Sequence, residues 1–252
     1  MNDALFGSTR TYVGPRHALI TPDGWVGSAL PRAGKVKVIY HITPAMGARF
    51  TQATLQFEAG GALSFWPFAD GVERFAYVVS GEVVIGHDGE SRQLAAGSFI
   101  YTPPGWEHEY VSESGATLAI FEKVFQSAAG QPMPNAAIMG PAADFEGQPF
   151  LGNPHAILQV LLPPDVGFDM AVNIFTYQPG ATLPFVETHI MEHGLLMLSG
   201  QGIYRLEDKW YPVKAGDVIW MAPYCPQWFV AMGDEPAAYL YYKDVNRHPL
   251  AP

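Results

Sequence analysis

The sequence contains one cysteine, Cys225, among its 252 residues. That scarcity excludes an internal disulfide framework and fits a reducing compartment. Cys225 itself reads as a small apolar packing residue rather than a nucleophile. Charge is also sparse, at 15% of residues, and only 14 of these are Lys or Arg against 24 Asp or Glu. Cations so few and so scattered cannot assemble a basic face, which excludes nucleic acid as a partner. No apolar run approaches the ~18 residues of a membrane-spanning helix. Met1 to Arg10 lack the basic stretch and apolar core of a secretory leader, so the expectation is a soluble cytoplasmic protein with no membrane partner. What the sequence has in quantity is 48% hydrophobic residues, 26 Gly and 22 Pro. The Gly and Pro fall between short apolar runs, the pattern of strands joined by turns in an all-β sandwich or barrel. The length is large for one core and natural for two small ones.

A repeat supports two. Gly61, Ser80-Gly81, Gly97 and Pro104 return as Gly180, Ser199-Gly200, Gly216 and Pro223. The spacing is constant (200 − 81, like 223 − 104, is 119). A fixed offset across four turn positions indicates a duplicated β unit, each copy sized for a small barrel. The division that follows is an N-terminal arm over 1–48, a first barrel over 49–125, a linker over 126–153 and a second barrel over 154–252. The linker is rich in Ala, Gly and Pro.

The chemistry concentrates in Val186-Glu187-Thr188-His189-Ile190-Met191-Glu192-His193-Gly194. Apolar flanks, Phe185 on one side and Leu195 to Leu198 on the other, suggest a strand entering a core. Residues two apart in a strand share a face, which would put Glu187, His189 and His193 together with Met191 between them. One carboxylate and two imidazoles on one face is a ligand set for a divalent first-row metal; a solvated polar face is the plainer alternative. The offset places Phe68, Asp70 and Arg74 at the matching positions of the first copy. An arginine there would repel a metal ion, so the first barrel is expected to be structural and the second to carry the site. Glu192 would face the other way and serve the structure. His17 and His41 read as structural, His155 and His248 as surface residues, and Asp244 with Arg247 as an ion pair.

These motifs resemble the cupin superfamily, whose fold is a double-stranded β-helix or jelly-roll barrel. The first cupin motif matches Gly180, Glu187-x-His189, His193 and Gly200. The second matches Gly97, Pro103, Gly105 and His108 in the first copy, and has become Gly216, Ala222, Tyr224 and Gln227 in the second. The usual three His and one Glu are here two His, a displaced Glu and a Gln. That departure is similar to the two-cupin (S)-ureidoglycine aminohydrolases of purine catabolism. The likeness extends to Leu198 through Tyr204, to Pro163 with Gly167-Phe168-Asp169-Met170, and to Tyr242-Lys243-Asp244-Val245-Asn246-Arg247.

The resemblance implies a metal held by Glu187, His189, His193 and Gln227, with manganese as the family's ion. On ligand chemistry Fe²⁺ or Zn²⁺ would also fit. It implies substrate contacts at Tyr239 and Lys243, to which Glu187, Gln227 and Tyr204 are added as candidates. Alternation sets Tyr239, Tyr241 and Lys243 on one face of the last strand, and a buried Lys243 needs an anion. Glu187 with two neutral imidazoles leaves a 2+ ion net cationic, which favours a small anionic substrate. The implied reaction releases ammonia from (S)-ureidoglycine to give (S)-ureidoglycolate, with Glu187 or Lys243 moving the proton. A cupin dioxygenase using Fe²⁺ and a non-catalytic two-barrel binding protein stand as alternatives. His108 is expected to be hydrogen-bonded rather than metal-bound. Open barrel edges suggest a homo-oligomer, in which the arm could cover a neighbour's edge.

Overall fold

The computed structural model describes residues 9–30, 33–64 and 71–248. Two of the positions matched to ligands, Phe68 and Asp70, lie outside the described residues. Twenty strands run β1 Tyr12–Val13, β2 His17–Ile20, β3 Ser28–Ala29, β4 Gly34–Ile42, β5 Thr51–Ser64, β6 Val72–His87, β7 Glu90–Ala95, β8 Ser98–Thr102, β9 Glu109–Ser112 and β10 Ala116–Val124. They continue as β11 Ile138–Pro141, β12 Gly147–Phe150, β13 Asn153–Val160, β14 Met170–Tyr177, β15 His193–Ser199, β16 Gln201–Leu206, β17 Lys209–Lys214, β18 Val218–Met221, β19 Gln227–Met232 and β20 Ala237–Asp244. All pairings are antiparallel, and the fold is two tandem β barrels. The second is an eight-stranded sheet, β1-β2-β18-β15-β20-β14-β13-β12, facing the three-stranded sheet β17-β16-β19.

The strands near the seam between barrels are buried on both faces, so they read as continuous apolar runs rather than alternating ones. Along β15, Leu195 and Met197 pack inside the second barrel while Leu196 joins a core shared by both barrels. Along β20, Tyr239 and Tyr241 point inward, and Leu240 and Tyr242 point to the seam. There Tyr242 stacks on Phe50 at 4.3 Å. Gly194 faces the same seam, where a Cβ would come within 2.5 Å of the Phe50 ring. The glycine is what lets β15 press against the first barrel.

Charges cross the seam as well. Lys123 Nζ donates to the Asp169 carboxylate at 2.5 Å and to its carbonyl at 3.1 Å. Tyr101 donates to Glu73 at 2.7 Å. Burial and the neighbouring Asp169 push Glu73 up to about 9. Asp169, singled out by its motif, therefore belongs to the join between barrels and not to the candidate site.

The repeat is real in three dimensions, with one adjustment. Gly81 and Gly200, like Gly97 and Gly216, take matching left-handed turns. Gly180, however, matches Gly60 rather than Gly61, since Gly60 and Gly180 are the pair with positive φ (72° and 79°). The segment divisions also change. β1 and β2 of the arm add to the second barrel, where Ala18 pairs with Trp220, while β4 adds to the first, where Val38 pairs with Leu55. The arm thus covers an edge of its own chain. Arg10 fastens it with two 2.7 Å hydrogen bonds to buried Asp217. Segment 126–153 is likewise no free connector: β11 pairs with β8 of the first barrel and β12 with β13 of the second. Backbone groups at both sheet edges needed partners, and these segments supply them.

Candidate metal and substrate site

Three of the four candidate donors come from one loop and the start of one strand. Residues 181–192 do not form the expected strand; they make only isolated bridges, Thr182 with Val230 and Glu187 with Gln227. Pro184 lacks a donor, and the flanking Phe185 and Val186 are 55% and 40% exposed, not buried. The side chains converge because the loop is fastened at both ends. Glu187 and Gln227 exchange backbone hydrogen bonds of 2.8 and 2.9 Å, and Tyr224 N–H donates to His189 O at 2.7 Å. Behind the loop Glu192, fully buried, accepts from Trp220 Nε1 at 2.7 Å and from Arg49 N–H at 3.0 Å. The backbone N–H of Glu192 donates to Asp244. Glu192 is structural, as alternation suggested.

In front, His193 Nε2 and His189 Nε2 lie 3.2 Å apart. Gln227 Nε2 is 3.4 Å from His189 Nε2, and Glu187 Oε2 is 4.0 Å from the same atom. Tyr204 donates to Gln227 Oε1 at 3.1 Å. Among the described residues no three His, Cys, Asp or Glu side chains form a ready cage; the set here is two touching imidazoles, an amide and a carboxylate at the rim. It nonetheless fits a cation. Two imidazole nitrogens facing each other can share at most one proton and otherwise oppose lone pairs. With bonds of about 2.1 Å, a 3.2 Å separation closes on one ion at an angle of about 100°.

Burial, with Lys243 adding to it, lowers both histidines below the ordinary imidazole value, His193 furthest. Neutral imidazole is the ligating form. Burial raises the Glu187 carboxyl and lowers the Lys243 ammonium, while each charge partly offsets the other's shift.

These donors line a cavity of about 170 Å³ together with Tyr204, Tyr239, Tyr241, Lys243 and an apolar wall that includes Phe150, Leu158 and Leu183. All the candidate residues of the second barrel therefore meet in one cavity. Phe150 was not among them. It sits in the segment read as a linker, and only its aromatic character marked it. Tyr239 and Tyr204 prove deeply buried, at 3% and 2% exposure, and Tyr239 holds Tyr177 at 3.1 Å between hydroxyls.

The first barrel shows the same position closed. Arg74 Nε donates to Glu122 at 2.6 Å, and Arg74 Nη1 to His108 Nε2 at 3.1 Å. His108 Nδ1 bonds the Trp106 carbonyl at 2.9 Å, so His108 is hydrogen-bonded as expected. His17 is satisfied by Glu207 and Tyr211, whereas His41 bonds Thr54 through Nε2 and keeps a buried Nδ1 without a hydrogen-bond partner. The expected Asp244–Arg247 pair does not form. Asp244 pairs with Arg49 at 2.8 Å, and Arg247 donates to the carbonyls of Gln126, Val166 and Gly167. The guanidinium finds unpartnered carbonyls beside it, and the carboxylate finds Arg49 across the seam.

Residues 55–122 and 173–242 each match the cupin domain family. The chain is 39% identical over 98% of its length to a protein described as a probable (S)-ureidoglycine aminohydrolase of Oryza sativa subsp. japonica, covering 78% of it. It is also 39% identical to the (S)-ureidoglycine aminohydrolase of Arabidopsis thaliana, covering 98% of this chain and 81% of that one. The Escherichia coli (strain K12) (S)-ureidoglycine aminohydrolase is 35% identical, with 91% and 88% covered. Among solved structures, protein Ylba from E. coli superposes with a TM-score of 0.85 at 31% identity, with 98% of both chains covered. An oxalate decarboxylase of Bacillus subtilis, described with Mn(II) centres, shares the fold alone: TM-score 0.71 at 12% identity, covering 98% of this chain and 82% of that one.

Proposed function

The chain belongs to the cupin family, as a two-domain member grouped with the (S)-ureidoglycine aminohydrolases, and on that footing we propose that its second barrel hydrolyses (S)-ureidoglycine to (S)-ureidoglycolate and ammonia with a bound divalent cation, Mn²⁺ by preference. The observation that carries this reading is the meeting of Glu187, His189, His193, Gln227 and Lys243 in one small cavity, against the closed Arg74–Glu122 pair at the matching place in the first barrel.

Glu187, His189, His193 and Gln227 would hold the cation, Gln227 through Oε1. When bound, the ion supplies Lewis-acid polarisation and a positive field for an anionic substrate. Lys243, a half-buried cation on the same face, meets the substrate carboxylate. In the balanced reaction the carbon–nitrogen bond to the amino group breaks and a bond to the oxygen of water forms. The departing amine takes a proton, and the water proton is returned to the chain. Lys243 is placed to give that proton, because burial weakens its hold on it. Glu187, raised by burial, is placed to receive the other. The apolar wall of Phe150, Leu158 and Leu183 limits competing water.

The test is ammonia release from freshly generated (S)-ureidoglycine, before and after chelation and with Mn²⁺ restored. Metal-dependent release above the spontaneous rate is expected, with no need for O₂. Bound metal without acceleration would overturn the reading, and turnover that required O₂ would replace it with a dioxygenase.

A further inference from the structure

Tyr177 lies at the end of β14 with no exposed surface. It is absent from the cavity lining, so it touches nothing that binds there. Its hydroxyl is nonetheless 3.1 Å from that of Tyr239. The rings of Tyr239 and Tyr204 adjoin in turn, 6.3 Å between centroids, and Tyr204 donates to Gln227 Oε1. A line of three phenols thus runs from the barrel wall to a candidate ligand.

The strand registers identify what replaces these tyrosines in the first barrel. Tyr177 pairs with Ala237 as Phe57 pairs with Ala116. Tyr239 pairs with Met197 as Leu118 pairs with Val78. Tyr204 pairs with Phe229 as Ile85 pairs with Tyr110. The barrel that lacks the donor set has Phe57, Leu118 and Ile85, with no hydroxyl among them. Packing alone does not call for three phenols here, since the sister barrel fills these places with apolar side chains.

A phenol donates one proton, so a line of phenols points one way at a time. As it stands Tyr204 donates to Gln227 Oε1, and the amide nitrogen faces His189. An amide nitrogen has no lone pair for a cation; Oε1 has. A half-turn of the amide brings Oε1 to the histidines and Nε2–H to Tyr204. Tyr204 must then donate to Tyr239, and Tyr239 to Tyr177. We propose, building on the cation-dependent reading above, that Tyr177 is a positioning residue: it is the terminal acceptor that lets the Tyr239–Tyr204 line reverse and turn the Gln227 oxygen toward His189 and His193.

The test is Mn²⁺ titration of the purified full chain without substrate, read by the electron paramagnetic resonance signal of free Mn²⁺. Tyr177→Phe keeps the ring and removes the acceptor, so Mn²⁺ affinity is expected to fall about tenfold or more. In a Gln227→Glu background both ends of the side chain are oxygen, orientation ceases to matter, and Tyr177→Phe is expected to change affinity less than twofold. Equal affinity for Tyr177→Phe and the unmodified chain would overturn the proposal alone. So would the same loss in both backgrounds, which marks a structural role. No Mn²⁺ uptake by the unmodified chain would overturn this proposal and the cation-dependent reading together.

Discussion

Lys243 stands directly opposite His193 across the β15–β20 ladder, and the matching rung of the first barrel sets Glu122 opposite Arg74. One site has a basic side chain beside a candidate donor, open to a cavity. The other has an internal ion pair that closes the same place. The guanidinium of Arg74, held by a carboxylate and an imidazole, occupies the first barrel as a permanent cation.

Replacing Lys243 by Met should reduce turnover by roughly 10²- to 10⁴-fold, the range for loss of a positioned proton donor. Mn²⁺ content should be retained, because Lys243 is not a donor to the ion. Steady-state ammonia release with metal analysis checks both, and full turnover would remove Lys243 from the mechanism.

Replacing Arg74 by Met should destabilise the fold by about 3–5 kcal/mol, since Glu122 and His108 lose a buried partner. The loss should appear in the denaturant midpoint. Metal content of the second barrel should be unchanged once the chain is folded.

Stability should fall as pH drops below about 6.5. Burial holds His41 and His108 at about 4, against an unfolded value near 6.5. Between those values the unfolded chain binds more protons, so stability rises with pH across the window and is lost as pH falls through it. Two such residues contribute at most about 2.7 kcal/mol per pH unit; the lowered His17, His189 and His193 add to that slope, and the raised Glu73 subtracts from it. Urea midpoints at pH 6.5, 5.5 and 4.5 measure the sum, and replacing His41 by Gln should lower the slope by about 1.4 kcal/mol per pH unit at most.

Mn²⁺ should raise the thermal midpoint. At a hundredfold excess over its dissociation constant the gain is about 2.7 kcal/mol for one site. Glu187→Gln should abolish most of the shift, since it removes the only formal negative charge among the donors. Calorimetric scans with and without chelator read the difference.

The sequence made the two barrels legible, because the turn glycines sit at fixed spacing. Glu187, His189, His193, Gln227 and Lys243 do share a cavity. The reason alternation gave for it was wrong, since the donor loop is set by hydrogen bonds to residues near Tyr224 and Gln227 rather than by a strand. Such bonds leave no periodic mark. Phe150 and Tyr177 were hidden for the same reason: their roles depend on which strand lies beside theirs. Arg49 illustrates the limit well, as its partners Glu192 and Asp244 are far along the chain and no spacing rule connects them.

The pairing of Ala18 with Trp220 also dictates an order of events. The strand that completes the second barrel's sheet precedes the first barrel in the chain, and its partner follows after about two hundred residues. Closing so long a loop is entropically late. The first barrel can gather β4 to β10 on its own, while β1 and β2 wait with an unpaired edge for β18. The waiting edge is the hazard of this topology, because a second chain could offer the same β18. The bidentate hold of Arg10 on Asp217 is then a latch that favours capture by the chain's own partner over exchange.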